Sequence, residues 1–509
     1  MSASRRSRFA ASLSSGYLLL ASNVVFTLVS IPLSLHYLSK EQFGLCAVVM
    51  QIASYLQLLD LGMTGSLSRI LIDYKDDAAS TNYGAVIQTG FRVLAIQGLL
   101  IAVLGSVASY WLPPLMKVDV KYWADFRWLM VAQCLVLAVG FAGKMFTFTL
   151  QAHQRFDMSN FGSIAGFAAQ LGAMWAGFAG GMGLYALVVS AAAGTLVSLG
   201  CSVLSVHHLR LFPQRGCWGK PSWPIFRELF SYGTDIFLLS VGQMLISASA
   251  VPVITRTLGL EAAAVWSVAT KLFTLSQQVV YRILDFSSAP LAEMMVRNER
   301  PRLHARFRDT LVLTACTAIF TAVGAALCNQ SFLVVWVRGT VAWGVENDIA
   351  MGLSLLVYSV TRCHIGLAGL TKDIRGMKFL YFIEGLAFVV LALAAAPRFG
   401  LAGVIGSGIV TNLLCSGLYG AGRTAEYFGI AFSQPLLGWL KHPAHAFIVT
   451  VLLAVALWFS TSVLPALPRL VVNGALFGLA GGWSVWRFGL PTAMRAEIAG
   501  LAMSRFRRV

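Results

Sequence analysis

Charge is what this sequence has least of. Only 12% of its 509 residues are Asp, Glu, Lys or Arg, about half the share of an ordinary soluble domain. Acidic residues are the scarcer kind, 21 against 38 basic. A disordered chain needs high charge and few apolar residues, so disorder is excluded. With 57% hydrophobic residues and a mean hydropathy of +0.74, the chain carries more apolar side chain than a soluble core holds. A soluble enzyme is therefore excluded too. Cys-x-x-Cys spacing is missing among the eight cysteines, so neither a disulfide framework nor a metal site is expected. No glycine-rich loop is followed by Lys at nucleotide-binding spacing. The run Gly400-Leu-Ala-Gly403-Val-Ile-Gly406-Ser-Gly408 reads instead as a surface for close helix packing. No cofactor is expected, and any work must draw on an ion gradient, the membrane potential or downstream pull. Strict polar–apolar alternation is absent, which excludes a membrane β-barrel.

What the chain does have is long apolar runs. They fall at roughly 13–37, 45–68, 86–111, 127–150, 160–180, 184–206, 229–252, 262–285, 310–337, 349–371, 379–396, 401–422, 443–464 and 470–489. Each is long enough to cross a hydrocarbon layer of ~30 Å as a helix. The fold expected is an all-α polytopic membrane protein of about 14 transmembrane helices. Arg5, Arg6 and Arg8 precede the first run and look like an export signal, but the run continues to Tyr37. That is too long for a cleaved signal, so an uncleaved first span is expected.

With the N-terminus inside, basic residues favour the inner segments by about three to one. Both termini are then cytoplasmic, and the net charge of +17 marks a membrane face rather than a nucleic-acid partner. The outer loops are short, which leaves no room for an extracytoplasmic catalytic domain. The longest inner loops are expected at 207–228 and 290–309. Tyr37, Trp111, Trp336 and Trp439 lie near span ends and read as interfacial anchors.

A shift of 220 residues places Pro32 on Pro252, Leu38 on Leu258, Glu41 on Glu261 and Val48 on Val268. This weak repeat predicts two parallel six-helix halves, 1–210 and 222–425. Two further helices follow at 443–489, then a basic cytoplasmic tail at 490–509. Duplicated bundles are a transporter architecture. Pro32 and Pro252 can each bend their helix.

Ionisable residues within apolar runs are costly and usually face a partner or a cavity. The cations are Lys271, Arg362, Arg92, Arg282 and Lys144, with His364 beside them; the acids are Asp60, Asp235 and Glu384, with Asp285 near water. Lys144 and Arg282 can snorkel to the inner interface. Lys271 and Arg362 lie nearer mid-span. The cations outnumber the acids, which points to an anionic cargo such as a phosphate or pyrophosphate. The acids are either coupling sites or salt-bridge partners.

Two segments carry a family resemblance. One is Tyr37-Leu-Ser-Lys-Glu-Gln-Phe-Gly44. The other is Tyr55-Leu-Gln-Leu-Leu-Asp60-Leu-Gly62-Met-Thr-Gly65-Ser-Leu-Ser-Arg69. Together they resemble the opening of Wzx-type polysaccharide flippases, including O-antigen flippases, of the MATE-like MOP exporter superfamily. The chain departs from that pattern at Phe43, where the family often has Tyr, and by one extra residue between Gly62 and Gly65. The resemblance implies a V-shaped two-bundle transporter lined by helices 1, 2, 7 and 8. It would move an undecaprenyl-pyrophosphate-linked oligosaccharide across the bacterial inner membrane through a cationic cavity. It brings forward Lys271, Arg282, Asp60 and Asp235. The implied partners are the lipid-linked oligosaccharide, membrane lipid and other polysaccharide assembly proteins, and a monomer suffices. The alternatives are a cation-coupled multidrug exporter of the same fold, a membrane polysaccharide polymerase or ligase, and a non-transporting assembly scaffold.

Overall fold

Lipid offers a polypeptide backbone no hydrogen-bond partners, so a chain this apolar resolves into helices. The computed structural model describes residues 3–74, 81–214, 216–371, 375–497 and 499, with the side chains of 3–13, 64–66, 68, 69, 231–236 and 375 outside the described set. The helices are α1 (Ala3–Tyr37), α2 (Lys40–Tyr55), α3 (Met63–Tyr74), α4 (Thr81–Leu115), α5 (Trp123–Ala152), α6 (Phe156–Ala179) and α7 (Tyr185–His208). There follow α8 (Trp223–Ala248), α9 (Ala250–Leu258), α10 (Leu260–Ala269), α11 (Lys271–Val296), α12 (Arg300–Trp336) and α13 (Val345–Leu370). The chain ends in α14 (Arg375–Asn412), α15 (Leu418–Phe428), α16 (Lys441–Ser460), α17 (Ala466–Leu476) and the short α18 (Gly482–Ser484). No strand occurs among the described residues.

Two compact units divide the chain, Met1–Ala264 and Val265–Val509. In the first, α4 packs along α5, and α6 packs along α7 and α1. Small residues set these distances: a Cβ on Gly98 would stand 2.6 Å from the Ala138 carbonyl oxygen, and one on Gly44 would overlap the Leu260 carbonyl. Beside Gly44, Lys40 Nζ lies 2.8 Å from Glu261 Oε1. The turn before α2 is thereby tied to the start of α10, the segment that the 220-residue shift places on it. In the second unit α12 is the central element and packs on α11, α13, α16 and α17.

Each apolar run lies on helix, but helix and run do not coincide. Among the described residues nine helices are long and apolar enough to cross a membrane, or ten if a bent pair counts as one span. The run 45–68 is not one helix. A 3₁₀ turn at Leu56–Asp60 ends in Leu61 (φ 49°) and Gly62 (φ 74°) before α3 begins. The run 262–285 is also broken, at Thr270 between α10 and α11. Lys271 therefore starts a helix rather than sitting in the middle of one. Pro252 is the third residue of α9, directly after a 44° bend from α8. Pro32 is inside α1. The runs 379–396 and 401–422 meet at a kink where Gly400 has φ 59° and ψ −142°.

Two further expectations are corrected. The loop expected at 290–309 is almost all helix, because α11 continues to Val296 and α12 resumes at Arg300. Hydropathy marks where lipid ends, whereas a helix extends into water wherever its sequence allows. Trp439 is not an interfacial anchor. It is 6% exposed and packs against His304, Phe307 and Phe428.

Candidate functional site

In the second unit, charge is concentrated along one face of α11. Lys271, Gln278, Arg282 and Asp285 recur at i, i+7, i+11 and i+14, which an α-helix places on a single stripe. Arg282 and Asp285 are 53% and 39% exposed and stand 4.0 Å apart. From α13, Arg362 donates from Nη2 to Asp285 Oδ1 at 2.9 Å. Its guanidinium lies 4.3 Å from the centre of the Tyr281 ring, and the Tyr281 hydroxyl accepts from Gln277 at 2.8 Å. No described residue pairs with Lys271. The group presents three cations and one carboxylate. Such a set is costly to leave in lipid. The two planar guanidiniums of Arg282 and Arg362 meet at Asp285 and suit the oxygens of a phosphate or diphosphate, while Lys271 stands about 16 Å further along the same stripe, at the start of α11.

The first unit is built differently. Its break at Leu61–Gly62 frees carbonyls that a straight helix would have paired. Gln97, 3% exposed, donates to the Leu59 and Asp60 carbonyls at 3.1 and 3.0 Å. Near Asp60 is a cavity of about 280 Å3 lined by Gln57, Ser240, Gln243 and Ser247. A larger one, about 410 Å3, is lined by Gln57, Gln133, Lys144, Thr147, Gln170 and Thr195, among others. Lys144 Nζ lies 3.6 Å from the centre of the Phe141 ring and is attracted by the Asp60 carboxylate. Its snorkelling position in the sequence reading is replaced by a place on a cavity wall. Their walls carry amide and hydroxyl groups among apolar side chains.

The remaining candidates are separate from both groups. Arg92 is exposed and lines its own cavity of about 360 Å3 with Gln88, Phe91, Phe146, Phe212 and Trp218. His364 is 1% exposed. Its Nδ1 lies 3.0 Å from Thr424 Oγ1, and its ring rests on Phe307, so it packs inside the unit rather than joining the cations. Glu384 is also 1% exposed. Its Oε1 accepts from Asn412 Nδ2 at 2.9 Å, and its Oε2 accepts from the Ser416 backbone N–H at 3.1 Å and from the Ser416 hydroxyl. A π-helical turn at Leu413–Gly417 takes that N–H out of the regular ladder and gives it to the acid. An amide and a serine thus hold Glu384, with no cation paired to it among the described residues. The side chains of Asp235 and Arg69 lie outside the described set.

Sequence reasoning missed Gln97 and the Arg362–Asp285 pair. Leu-Gly at 61–62 is a signal that could have shown the break. Nothing local announces a contact between residues 77 positions apart.

A family model described as polysaccharide biosynthesis protein matches residues 13–295. Among solved structures, a multidrug resistance MATE family transporter of the MOP superfamily, in an inward-facing conformation, superposes with a TM-score of 0.65 at 14% identity, covering 79% of this chain and 94% of that one. The lipid II flippase MurJ, inward closed, gives 0.63 at 13% identity over 94% of this chain and 98% of its own. A MOP superfamily transporter from Pyrococcus furiosus, described by the reverse polarity of its binding pocket, gives 0.55 at 13% identity over 82% and 96%. At these identities the likeness is one of fold. No curated protein sequence matches.

Proposed function

Because the chain belongs to the polysaccharide biosynthesis protein family, and is a multi-pass membrane protein with the fold of MOP superfamily transporters, we propose that it is a flippase for an undecaprenyl-pyrophosphate-linked oligosaccharide. The repeat unit would serve O-antigen, capsule or exopolysaccharide, and the membrane would be the bacterial inner membrane with both chain termini in the cytoplasm. The observation that carries the reading is the stripe of Lys271, Arg282 and Arg362 with its single carboxylate. That balance suits an anionic head group and repels a cationic drug. The diphosphate binds at the Arg282 and Arg362 guanidiniums, which replace its hydration, and Lys271 adds to the field further along α11. The amide- and hydroxyl-lined cavities of the first unit offer donors and acceptors to sugar hydroxyls. The polyprenyl chain stays in lipid, at no cost in apolar burial. The breaks before α3, α9 and α11 are the flexible points of the cycle, and Pro32 adds a further bend in α1.

The second reading is a multidrug exporter, favoured by the superposition on a MATE family transporter. Reconstituted protein distinguishes the two. The flippase reading expects movement of a short lipid-diphosphate-linked oligosaccharide across proteoliposomes and no efflux of cationic dyes. Dye efflux without oligosaccharide movement would overturn it.

A further inference from the structure

One buried acid stands apart from every group above. Asp348, in the first turn of α13, is 1% exposed. Its Oδ1 accepts from Asn329 Nδ2 at 2.7 Å and from Trp343 Nε1 at 2.8 Å. The second hydrogen on Asn329 Nδ2 goes to the Ala269 carbonyl at 3.2 Å. The two acceptors on its nitrogen side fix which way the amide faces. Two atoms of the paired head groups are then left over, Asp348 Oδ2 and Asn329 Oδ1, both buried and with no partner among the described residues. Both are acceptors.

A carboxyl and an amide can form a closed pair: the amide N–H donates to one carboxyl oxygen, and the acid O–H donates to the amide oxygen. One hydrogen on Oδ2 would complete it and satisfy both leftover atoms. Without that hydrogen the site holds a buried carboxylate with no counter-charge, an expensive state inside a membrane protein. Among the described residues the surrounding elements supply none. α12 contributes the neutral Asn329, α10 the Ala269 carbonyl, and the turn before α13 the Trp343 indole. The charged neighbour on α13 itself is Glu346, of the same sign. The other side is an apolar groove lined by Ala326, Leu327, Ile349 and Gly352.

We propose that Asp348 is a proton-binding site, its proton shared with the amide oxygen of Asn329. The bond formed is Asp348 Oδ2–H, from a proton of bulk water, and no other bond changes. Asn329 links this proton to the helix break that precedes the cationic stripe. Its amide holds the carbonyl of Ala269, the last residue of α10, and Lys271 opens α11 two residues later. Loss of the proton sets two acceptors against each other and pushes on the amide that holds that carbonyl. The coupling to Lys271 rests on the function proposed above, whereas the protonation does not.

Infrared difference spectroscopy on the full chain in nanodiscs tests it, comparing wild type with Asp348→Asn and Asn329→Ala. The expected result is a protonated-carboxyl C=O band that shifts in heavy water, disappears in Asp348→Asn and moves in Asn329→Ala, where the hydrogen-bond partner is lost. Identical spectra for wild type and Asp348→Asn would overturn the proposal. So would a band abolished by sodium chloride but not by choline chloride, which would make the site a metal-cation site. Should Asp348→Asn fail to fold, Asp348→Glu serves, with a displaced band expected and an unmoved one contradicting. In proteoliposomes, Asp348→Asn should lose the wild-type dependence of flipping on lumenal pH. A retained dependence would remove the link to transport. Absence of flipping with the band intact would count against the flippase reading alone.

Discussion

The two units solve the same problem, polar groups inside a membrane protein, in opposite ways. The first sets Lys144 on a cavity wall that also carries glutamines, threonines and serines, and the Asp60 carboxylate is near enough to attract it. The second lines up Lys271, Arg282 and Arg362 against Asp285, and it seals its buried acids, Glu384 and Asp348, behind neutral donors. Neutral walls recognise hydroxyls by direction, while surplus charge recognises an anion by field. Polar surface alone therefore does not locate a site in such a protein. The sign and pairing of the charges separate a binding stripe from packed interior.

The contrast is broken most severely by removing the charge. Lys271→Ala combined with Arg362→Ala should lower flipping by about a hundredfold or more, since each charge-assisted contact contributes about 1.5–3 kcal/mol. Gln133→Ala combined with Gln170→Ala in the first unit should cost less, about thirtyfold, as a neutral hydrogen bond contributes about 1 kcal/mol. Equal losses from the two double variants, in the same transport assay, would erase the distinction.

Gly44→Leu tests the packing that the first unit needs. Its side chain would run into the Leu260 backbone, and overpacking of this kind costs about 1–3 kcal/mol. A lowered unfolding temperature in detergent is expected, and an unchanged one would mean that the α2–α10 approach is not tight. The smallest effect belongs to Asp285→Asn. The Arg362–Asp285 pair is about two-fifths exposed on each side, so its loss should change stability by about 1 kcal/mol or less. Affinity for an anionic ligand should rise, because the one opposing charge on the stripe is gone. A fall in affinity would make Asp285 part of the binding surface.

The helical fold was legible in the apolar runs because lipid leaves the backbone no other solution. The breaks were not. Hydropathy is blind to backbone direction, so residues 45–68 and 262–285 read as continuous although Leu61, Gly62 and Thr270 interrupt them. The extension of α11 and α12 through 290–309 was hidden for the converse reason, since polar residues also form helix. The stripe on α11 could be read from spacing once the helix was known. Arg362 joined it only through tertiary contact, and the same tertiary packing sent His364, two residues on, into the interior against Thr424. Asp348 drew no attention in the sequence because it lies one residue before its apolar run, in the polar stretch Glu346-Asn347-Asp348 that looks like loop.

The most direct test of the central claim is the affinity of the purified protein for a short polyprenyl diphosphate, measured across ionic strengths for wild type and for Lys271→Ala with Arg362→Ala. The account predicts binding that weakens with salt in the wild type, and a loss of both affinity and salt dependence in the variant. Equal affinity and equal salt dependence in the two proteins would contradict it.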